Sequence, residues 1–577
     1  MSRSVGQVRS IRWGRRMAAV VLVAMLALTT GVTVTGLGSV PTTGAASPDL
    51  PLLAGAHWGD SHADDVAKAG TGKNQAGDDP GSLFTVENAI GARAVWGQTD
   101  SSGRQITGQG VTVALLDSGT AAVPGLSGAG KLSFGPDLSV ESNGPLADQD
   151  TFGHGTFMAG IIAGRDAATL TGKTIKKLDP AVQLGVAPDA GLLSIKLATT
   201  DGSSDVSQII AALNWVTEHQ VAADGTAVRV VNLSFGTDSL QPYQLDPLAA
   251  AAENAWRHGL VVVVAAGNQG PSAGRLTDPA MDPYVLAVGA SDSRERADGW
   301  TAPSVASFSS SGTAARHADL LAPGTSLVSF RAPESFIDVA HPEGLVAGDT
   351  TGRLFRGSGT SQAAAVVSGA AALLLQANPT LTPDQVKAAL IATAAPVAAD
   401  PVYAGAGQLD VAAAVAALQP APPAGKEGKD TAKEGTDTLL PAGPTPAVQS
   451  YPISTGQGSL DAARGGVALV DADGAPIIGE TDAQGNPWDP AGWWAATSNL
   501  TTWSGGSWMG VTWTGSGWNN DPGSGLTSAR WSCARWSSAR WSSADWTSAR
   551  WSSARWSSAR WSSARWSSAR WSDNLWG

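Results

Sequence analysis

Short apolar runs alternate with helix-like segments over the middle of the chain. The runs at 108–116, 191–197, 228–235, 260–266 and 284–289 have the length and composition of buried strands. Helical spacing of apolar residues occurs at 86–96, 206–221, 246–258, 361–376, 383–395 and 411–418. Strands that alternate with helices predict an α/β doubly wound fold, in which a mostly parallel sheet carries helices on both faces.

Four polar residues stand at the ends of these predicted elements. Asp117 and Asn268 each follow a predicted strand, and sites in such sheets form at the carboxyl ends of strands. His154 lies between two glycines and begins an apolar helix, and Ser361 begins the long Ala-rich helix. A Ser at a helix start becomes a nucleophile if a base is near, because the helix N–H groups can hold the oxyanion that forms.

Each of these residues also has an ordinary structural interpretation. Ser361 alone is most simply a helix cap, Asp117 a turn residue, His154 a helix-start residue and Asn268 a loop residue. Together they supply an acid, a base, a nucleophile and an amide, each beside glycine or at an element's end. The combination predicts nucleophilic catalysis by Ser361.

Three sequence motifs resemble those of the subtilisin-like serine peptidases. They are Val-Thr-Val-Ala-Leu-Leu-Asp-Ser-Gly at 111–119, Gly-His-Gly-Thr-Phe-Met-Ala-Gly at 153–160 and Gly-Thr-Ser-Gln-Ala at 359–363. The segments 232–236 and 265–268 resemble the substrate-cleft strands of that family, and 288–290 and 321–324 add support. The resemblance covers about residues 85–418 and implies the subtilisin-like fold.

The resemblance also implies a role for each residue of the site. Ser361 attacks the scissile carbonyl, His154 is general base and then general acid, and Asp117 orients His154. The Asn268 side chain and the Ser361 backbone N–H bind the oxyanion. The residues expected to bind substrate form two walls of a pocket: Ser234, Phe235 and Gly236 on one side, and Ala265, Ala266 and Gly267 on the other.

The chain departs from the family pattern next to the nucleophile. Gln362 stands where the family usually has Met, and Ala365 where it usually has Pro. Neither change removes a catalytic group, and Ala365 favours the helix. Gln362 also resists the oxidation that a Met invites.

Composition and charge limit the classes of partner and cofactor that the protein can be expected to have. The net charge of −12 argues against nucleic acid as a partner, and a single cysteine, Cys533, leaves no internal disulfide framework. No cofactor is required by this chemistry and no metal-ligand cluster stands out. Calcium binding is possible, but only the resemblance to the family implies it.

The N-terminal 84 residues resemble targeting and processing segments. Residues 1–46 combine a basic start, an apolar stretch and a small-residue cleavage site, which predicts a secretory signal peptide, with an uncleaved anchor as the alternative. Residues 47–84 are predicted to be a flexible pro-segment or linker. The protein is therefore expected to be secreted, either extracellular or associated with the cell surface.

The peptidase-like region at 85–418 is followed by segments of different amino-acid composition. The composition of residues 419–447 predicts a linker. A small strand-rich segment is predicted at 448–487, and residues 488–577 form a tail with tryptophans five residues apart. That spacing suits a four-sided β-solenoid, with disorder as the alternative. Residues 526–577 hold eight Arg and two Asp, so contact with cell wall, polysaccharide or the envelope surface is a hypothesis.

Two functions remain open from the sequence. The leading prediction is a secreted serine endopeptidase that acts on polypeptides through an acyl-enzyme on Ser361. The alternative is a catalytically weak or inactive subtilisin-like scaffold that serves as an adhesion protein through its tail. The complete set of catalytic groups favours the enzyme.

Overall fold

The computed structural model describes most of the chain between residues 79 and 512. The described residues are 79–139, 141–142, 146–167, 170–202, 204–292, 303–418, 447–465, 480–512 and 540–541. They belong to one compact unit, His62–Gly577. The predicted signal peptide, most of the pro-segment, almost all of the linker and most of the tail lie outside the described residues, and these assignments stay predictions.

The elements of the described residues follow the expected alternation. The helices are α1 (Leu83–Ala89), α2 (Ala92–Trp96), α3 (His154–Ala163), α4 (Val206–Glu218), α5 (Pro247–Arg257), α6 (Phe336–Ala340), α7 (Thr360–Ala377), α8 (Pro383–Ala392), α9 (Pro401–Ala404), α10 (Val411–Ala417), α11 (Leu460–Ala463) and α12 (Pro490–Ser498). The strands are β1 (Val111–Asp117), β2 (Leu132–Phe134), β3 (Gly191–Lys196), β4 (Ala227–Leu233), β5 (Val261–Ala265), β6 (Leu286–Asp292), β7 (Ser304–Val305), β8 (Leu320–Pro323), β9 (Leu327–Phe330), β10 (Leu354–Ser358), β11 (Trp503–Ser504), β12 (Ser507–Trp508), β13 (Val511–Thr512) and β14 (Arg540–Trp541).

The main sheet is mostly parallel. Its order is β2-β3-β1-β4-β5-β6-β7, with β8 also paired to β6. Only the short β7 runs antiparallel to its neighbour within this sheet. The β1 and β5 strands are buried at every position, as expected for strands covered on both faces. The predicted α/β fold class is confirmed.

The predicted helix over 86–96 is wrong in one respect, because the structure has two short helices there. The break lies at Gly91, whose φ of +76° is left-handed. A Cβ at this position would lie 2.7 Å from the Ala412 Cβ, so the chain turns where only glycine fits. The helical apolar spacing continued across the break and concealed it.

Helix α7 is the centre of the core. It contacts β1, β4, β5, β6 and β8 of the sheet, and it also packs on α3. Of the helices in the described ranges, it alone has the length and hydropathy of a membrane span, yet 94% of that span is buried inside the protein. Its apolar character is therefore explained by the core.

Tryptophans of the C-terminal segment pack on α4. The Asn214 side-chain oxygen accepts the indole N–H groups of both Trp493 and Trp508, each at 3.1 Å. The Trp503 indole donates to the Ala211 carbonyl at 2.9 Å. All three tryptophans are buried, so this part of the Trp-rich sequence completes the core around the helix.

Polar contacts hold the same segment at both ends of α4. At the N-terminal end, the Arg464 guanidinium pairs with Asp205 at 2.8 Å, and neither side chain has exposed surface. At the C-terminal end, the Glu218 carboxylate accepts the backbone N–H groups of Thr502 and Trp503 at 2.9 and 3.1 Å. The segment therefore lies along the whole helix.

The five-residue tryptophan spacing has a local explanation at 503–512. Strands β11, β12 and β13 form an antiparallel meander in which Trp503 pairs with Trp508. The turn between them is Gly505-Gly506, and both residues have positive φ, as a two-residue hairpin turn requires. This stretch is a meander and not a four-sided solenoid. Farther along, β14 pairs with β10, and the other repeats lie outside the described residues.

We predict that Asn214→Ala destabilises the protein. Two buried indole N–H groups lose their acceptor, and each unsatisfied donor costs about 1–3 kcal/mol. Urea unfolding of the full chain measures the loss. Asn214→Asp keeps an acceptor oxygen and is the matched control. An unchanged midpoint for Asn214→Ala would show that the two indoles do not depend on this residue.

Candidate active site

A buried hydrogen bond joins Asp117 to His154. Asp117 is the last residue of β1, and His154 is the first residue of α3. The His154 Nδ1 lies 2.9 and 3.0 Å from the two carboxylate oxygens, and the two residues are 0% and 1% exposed. A carboxylate that accepts the Nδ1 proton leaves Nε2 as the basic nitrogen. The pair has the arrangement of an acid that orients a general base.

The Ser361 side chain lies at the start of α7 and is fully buried. Its Oγ donates to the main-chain oxygen of Ser234 at 2.8 Å, and the Ser234 Oγ donates to the Ser361 carbonyl at 3.1 Å. A hydroxyl has a single proton, so it cannot serve the Ser234 oxygen and an imidazole nitrogen at once. Transfer of this proton to a base therefore requires that the bond to Ser234 breaks first.

The Asn268 amide is oriented by Thr360, the residue before Ser361. Its Oδ1 accepts both the backbone N–H and the hydroxyl of Thr360, each at 2.9 Å. These two donors assign the oxygen end, so Nδ2 is the donating end. A Cβ built on Gly359 would lie 3.4 Å from this nitrogen, an ordinary contact, but only 2.6 Å from the Gln362 Oε1, so it is the Gln362 side chain that leaves room only for glycine here.

The two predicted walls of the substrate pocket are joined by a third segment. Thr237 and Asp278 exchange backbone hydrogen bonds at 2.9 and 3.0 Å, and Thr277 donates to the Ala266 carbonyl at 3.2 Å. A Cβ on Gly236 would lie 2.5 Å from the Thr277 Oγ1, so the wall and this segment are in close contact. This segment was not predicted from the sequence.

The wall residues themselves are mostly buried. Ser234, Phe235 and Ala266 are 0% exposed, and Ala265 is 1% exposed. The Phe235 ring packs in the hydrophobic core. Any wall that Phe235 contributes is therefore built from its main chain. The two glycines of the walls, Gly236 and Gly267, follow the ends of β4 and β5.

Two further polar residues of the site were also missed. Ser118 lies next to Asp117, and Asp150 lies four residues before His154, where its side chain accepts the Gly153 and Thr156 N–H groups. Burial raises the pKa of the Asp150 carboxyl, and these hydrogen bonds oppose the rise. The only sequence signal was an Asp shortly before a glycine-flanked helix start, which is common in turns.

The described residues contain no group of three or more His, Cys, Asp or Glu side chains placed to hold a cation. Calcium therefore stays an expectation of the resemblance, and no residue of the site is assigned to it.

The middle part of the chain is similar to known proteins. The model of the subtilase family (peptidase S8) matches residues 108–435. Serine protease AprX of Bacillus subtilis (strain 168) is 35% identical over 291 residues, which are 50% of this chain and 61% of AprX. Subtilisin Savinase of Lederbergia lenta is 33% identical over 311 residues, 54% of this chain and 93% of its own length. The crystal structure of a cold adapted subtilisin-like serine proteinase matches with 27% identity and a TM-score of 0.39, covering 53% of this chain and 90% of its own.

The residue after Ser361 carries a buried amide that has no hydrogen-bond partner among the described residues. Gln362 has no exposed surface, and within the described residues its Oε1 and Nε2 find no partner. Gln376, in the same helix, carries a buried amide that is hydrogen-bonded. Its Oε1 accepts the backbone N–H groups of Thr107, Gly108 and Gln109 at 2.8, 2.6 and 2.9 Å.

We predict that Gln362→Met raises the free energy of unfolding by about 1–2 kcal/mol, because it removes an unsatisfied buried amide. Gln376→Met is the matched control, since the same change in the same helix removes a satisfied amide. It is expected to lower that free energy by about 2–3 kcal/mol. Denaturant unfolding of both variants gives the comparison. A Gln362→Met protein that is less stable than the parent would contradict an unsatisfied amide.

Proposed function

Because this chain belongs to the subtilase family of serine-type peptidases, we propose that it is a secreted serine endopeptidase. The observation that carries the proposal is the buried hydrogen bond between Asp117 and His154. An orienting carboxylate next to a histidine is the part of a catalytic triad that a scaffold without activity does not need. The substrates are polypeptides.

The reaction uses the three residues in their family roles. The Ser361 hydroxyl breaks its hydrogen bond to the Ser234 carbonyl and gives its proton to His154. The Ser361 oxygen then attacks the scissile carbonyl carbon. The negative charge of Asp117 stabilises the imidazolium that forms. His154 then gives the proton to the leaving amine, and an acyl-enzyme remains on Ser361. Water hydrolyses this ester by the same steps, with His154 again as base and acid.

The oxyanion is stabilised by donors that are in place before the reaction. The Asn268 Nδ2 and the Ser361 backbone N–H are assigned this role. Support comes from the Thr360 donors that orient the Asn268 amide and from the position of Ser361 at a helix start. Fixed donors need no rearrangement when the charge develops, which is how such sites lower the barrier.

Secretion and attachment belong to the proposal as well. The basic start and apolar stretch of residues 1–46 support export. The alternating Arg and Trp of residues 526–577 support contact with an anionic surface or with sugars.

The proposal is tested by expressing the full chain in a bacterial host and assaying casein hydrolysis separately in the culture supernatant and on washed cells. We expect hydrolysis outside the cells, and a loss of about 10⁴-fold or more in kcat for purified Ser361→Ala. Ser133→Ala, on the edge strand β2, is the control, because its hydroxyl bonds only the Leu192 carbonyl of the neighbouring strand. Equal hydrolysis by the parent and Ser361→Ala would reject Ser361 catalysis and leave the scaffold as the better explanation.

A further inference from the structure

A second buried carboxylate lies next to the Asp117–His154 pair. The Asp150 Oδ1 accepts the Ser118 hydroxyl and the Gly153 N–H, both at 2.7 Å, and Oδ2 accepts the Thr156 N–H at 2.7 Å. Three donors point at its two oxygens. This set of partners suits the ionised form, because an ionised carboxylate only accepts hydrogen bonds.

Ser118 connects this carboxylate to the pair. Its Oγ accepts the Gly155 N–H at 2.9 Å and lies 2.7 Å from Asp150 and 3.2 Å from Asp117. The shorter distance assigns its proton to Asp150. The Ser118 N–H donates to Asp117 at 2.8 Å. Contacts therefore run without a gap from Asp150 through Ser118 to Asp117 and His154.

The same two side chains cap the helix that His154 begins. Gly153 precedes α3 and has no side chain to cap it. The first-turn N–H groups of Gly155 and Thr156 are instead satisfied by Ser118 and Asp150. The position of the imidazole therefore depends on a cap that is also bonded to the residue next to Asp117.

We propose that Asp150 is a positioning residue for peptide-bond hydrolysis, which holds Ser118 and the first turn of α3 so that His154 meets Asp117. Its negative charge also favours the imidazolium form of His154. The inference rests on the proposed function for its kinetic consequences. Its geometric part concerns His154 alone and is measurable without any substrate.

The elements that pack on α3 carry few other charged groups near His154. The elements packed on it include α7 and β9, which contain no ionisable residue, β1 with Asp117, and β3 with Lys196. The Lys196 ammonium donates to the Ser118 carbonyl at 3.1 Å and pairs with Glu141 at 3.1 Å. It also acts on the carboxyls at positions 137 and 148.

The segment before the helix is covered by α6. Its Phe336 and Ile337 N–H groups donate to the carbonyls of Thr151 and Phe152. The charged residue on that helix, Asp338, is paired with Arg331 at 2.5 Å. Asp117 thus bonds His154 directly, and Asp150 is linked to this pair through Ser118.

The test is Asp150→Asn in the full chain. An amide offers one acceptor oxygen where the carboxylate offered two, so at least one of the three donors loses its partner. We expect kcat to fall by about 10- to 100-fold with KM within about threefold. The acid limb of the kcat/KM profile moves to lower pH by about 0.5 units or more, because a negative charge near the imidazolium is gone.

A matched control separates positioning from plain loss of stability. Asp246 is also a buried helix cap, which accepts a Ser239 hydroxyl at 2.7 Å and the N–H groups of Leu248 and Ala249. The Asp246 carboxyl also shares a hydrogen bond with the buried Asp278 carboxyl, so the stability of both variants is measured by urea unfolding. Asp246→Asn is expected to leave the acid limb in place. Equal pH profiles for Asp150→Asn and the parent would overturn the proposal.

A second measurement does not depend on activity. The protonation midpoint of the His154 ring, followed by NMR on ¹⁵N-histidine-labelled protein, should fall in Asp150→Asn and stay unchanged in Asp246→Asn. If the parent lacks Ser361-dependent hydrolysis but the midpoint falls, the proposed function fails and the positioning role stands. An unchanged midpoint rejects the role. If Asp150→Asn does not fold, Ser118→Ala removes the connection instead and should lower kcat in the same way.

Discussion

The burial of one apolar helix determines where the proposed nucleophile, Ser361, lies. All residues of α7 except Ala377 are buried, and the helix contacts five strands of the main sheet. Because close-packed interiors do not tolerate sliding, this contact fixes the start of the helix at one place. Ser361 is held there beside the segments that follow β4 and β5. The proposed nucleophile is thus positioned by the core, and Asp117 and His154 are positioned by the end of β1 and the start of α3.

The residues proposed as catalytic could be singled out from the sequence because they stand where regular elements begin or end. Asp117 ends an unbroken apolar strand, and His154 and Ser361 each begin an apolar helix next to glycine. Periodicity locates such ends without knowledge of the tertiary structure. The same periodicity failed at Gly91, because a left-handed glycine breaks the helix without breaking the apolar pattern.

The partners of buried polar groups could not be predicted in this way. Asp150 and Ser118 meet because a loop and a turn are brought together by the sheet, although 32 residues separate them. Asn214 and Trp493 are 279 residues apart, and neither local sequence indicates the other. The five-residue spacing of the tryptophans suggested a solenoid. At 503–512 that spacing instead reflects two-residue strands joined by tight turns, and α4 supplies the acceptors.

The central claim is that Ser361 is a nucleophile activated by His154. Its most direct test is covalent labelling of the purified full chain with a fluorophosphonate, followed by intact-mass measurement and peptide mapping. The account predicts one adduct per chain, on the peptide that contains Ser361, and labelling of His154→Ala that is slower by about 10³-fold or more. An adduct on a different serine, or labelling of the parent no faster than of His154→Ala, would contradict it.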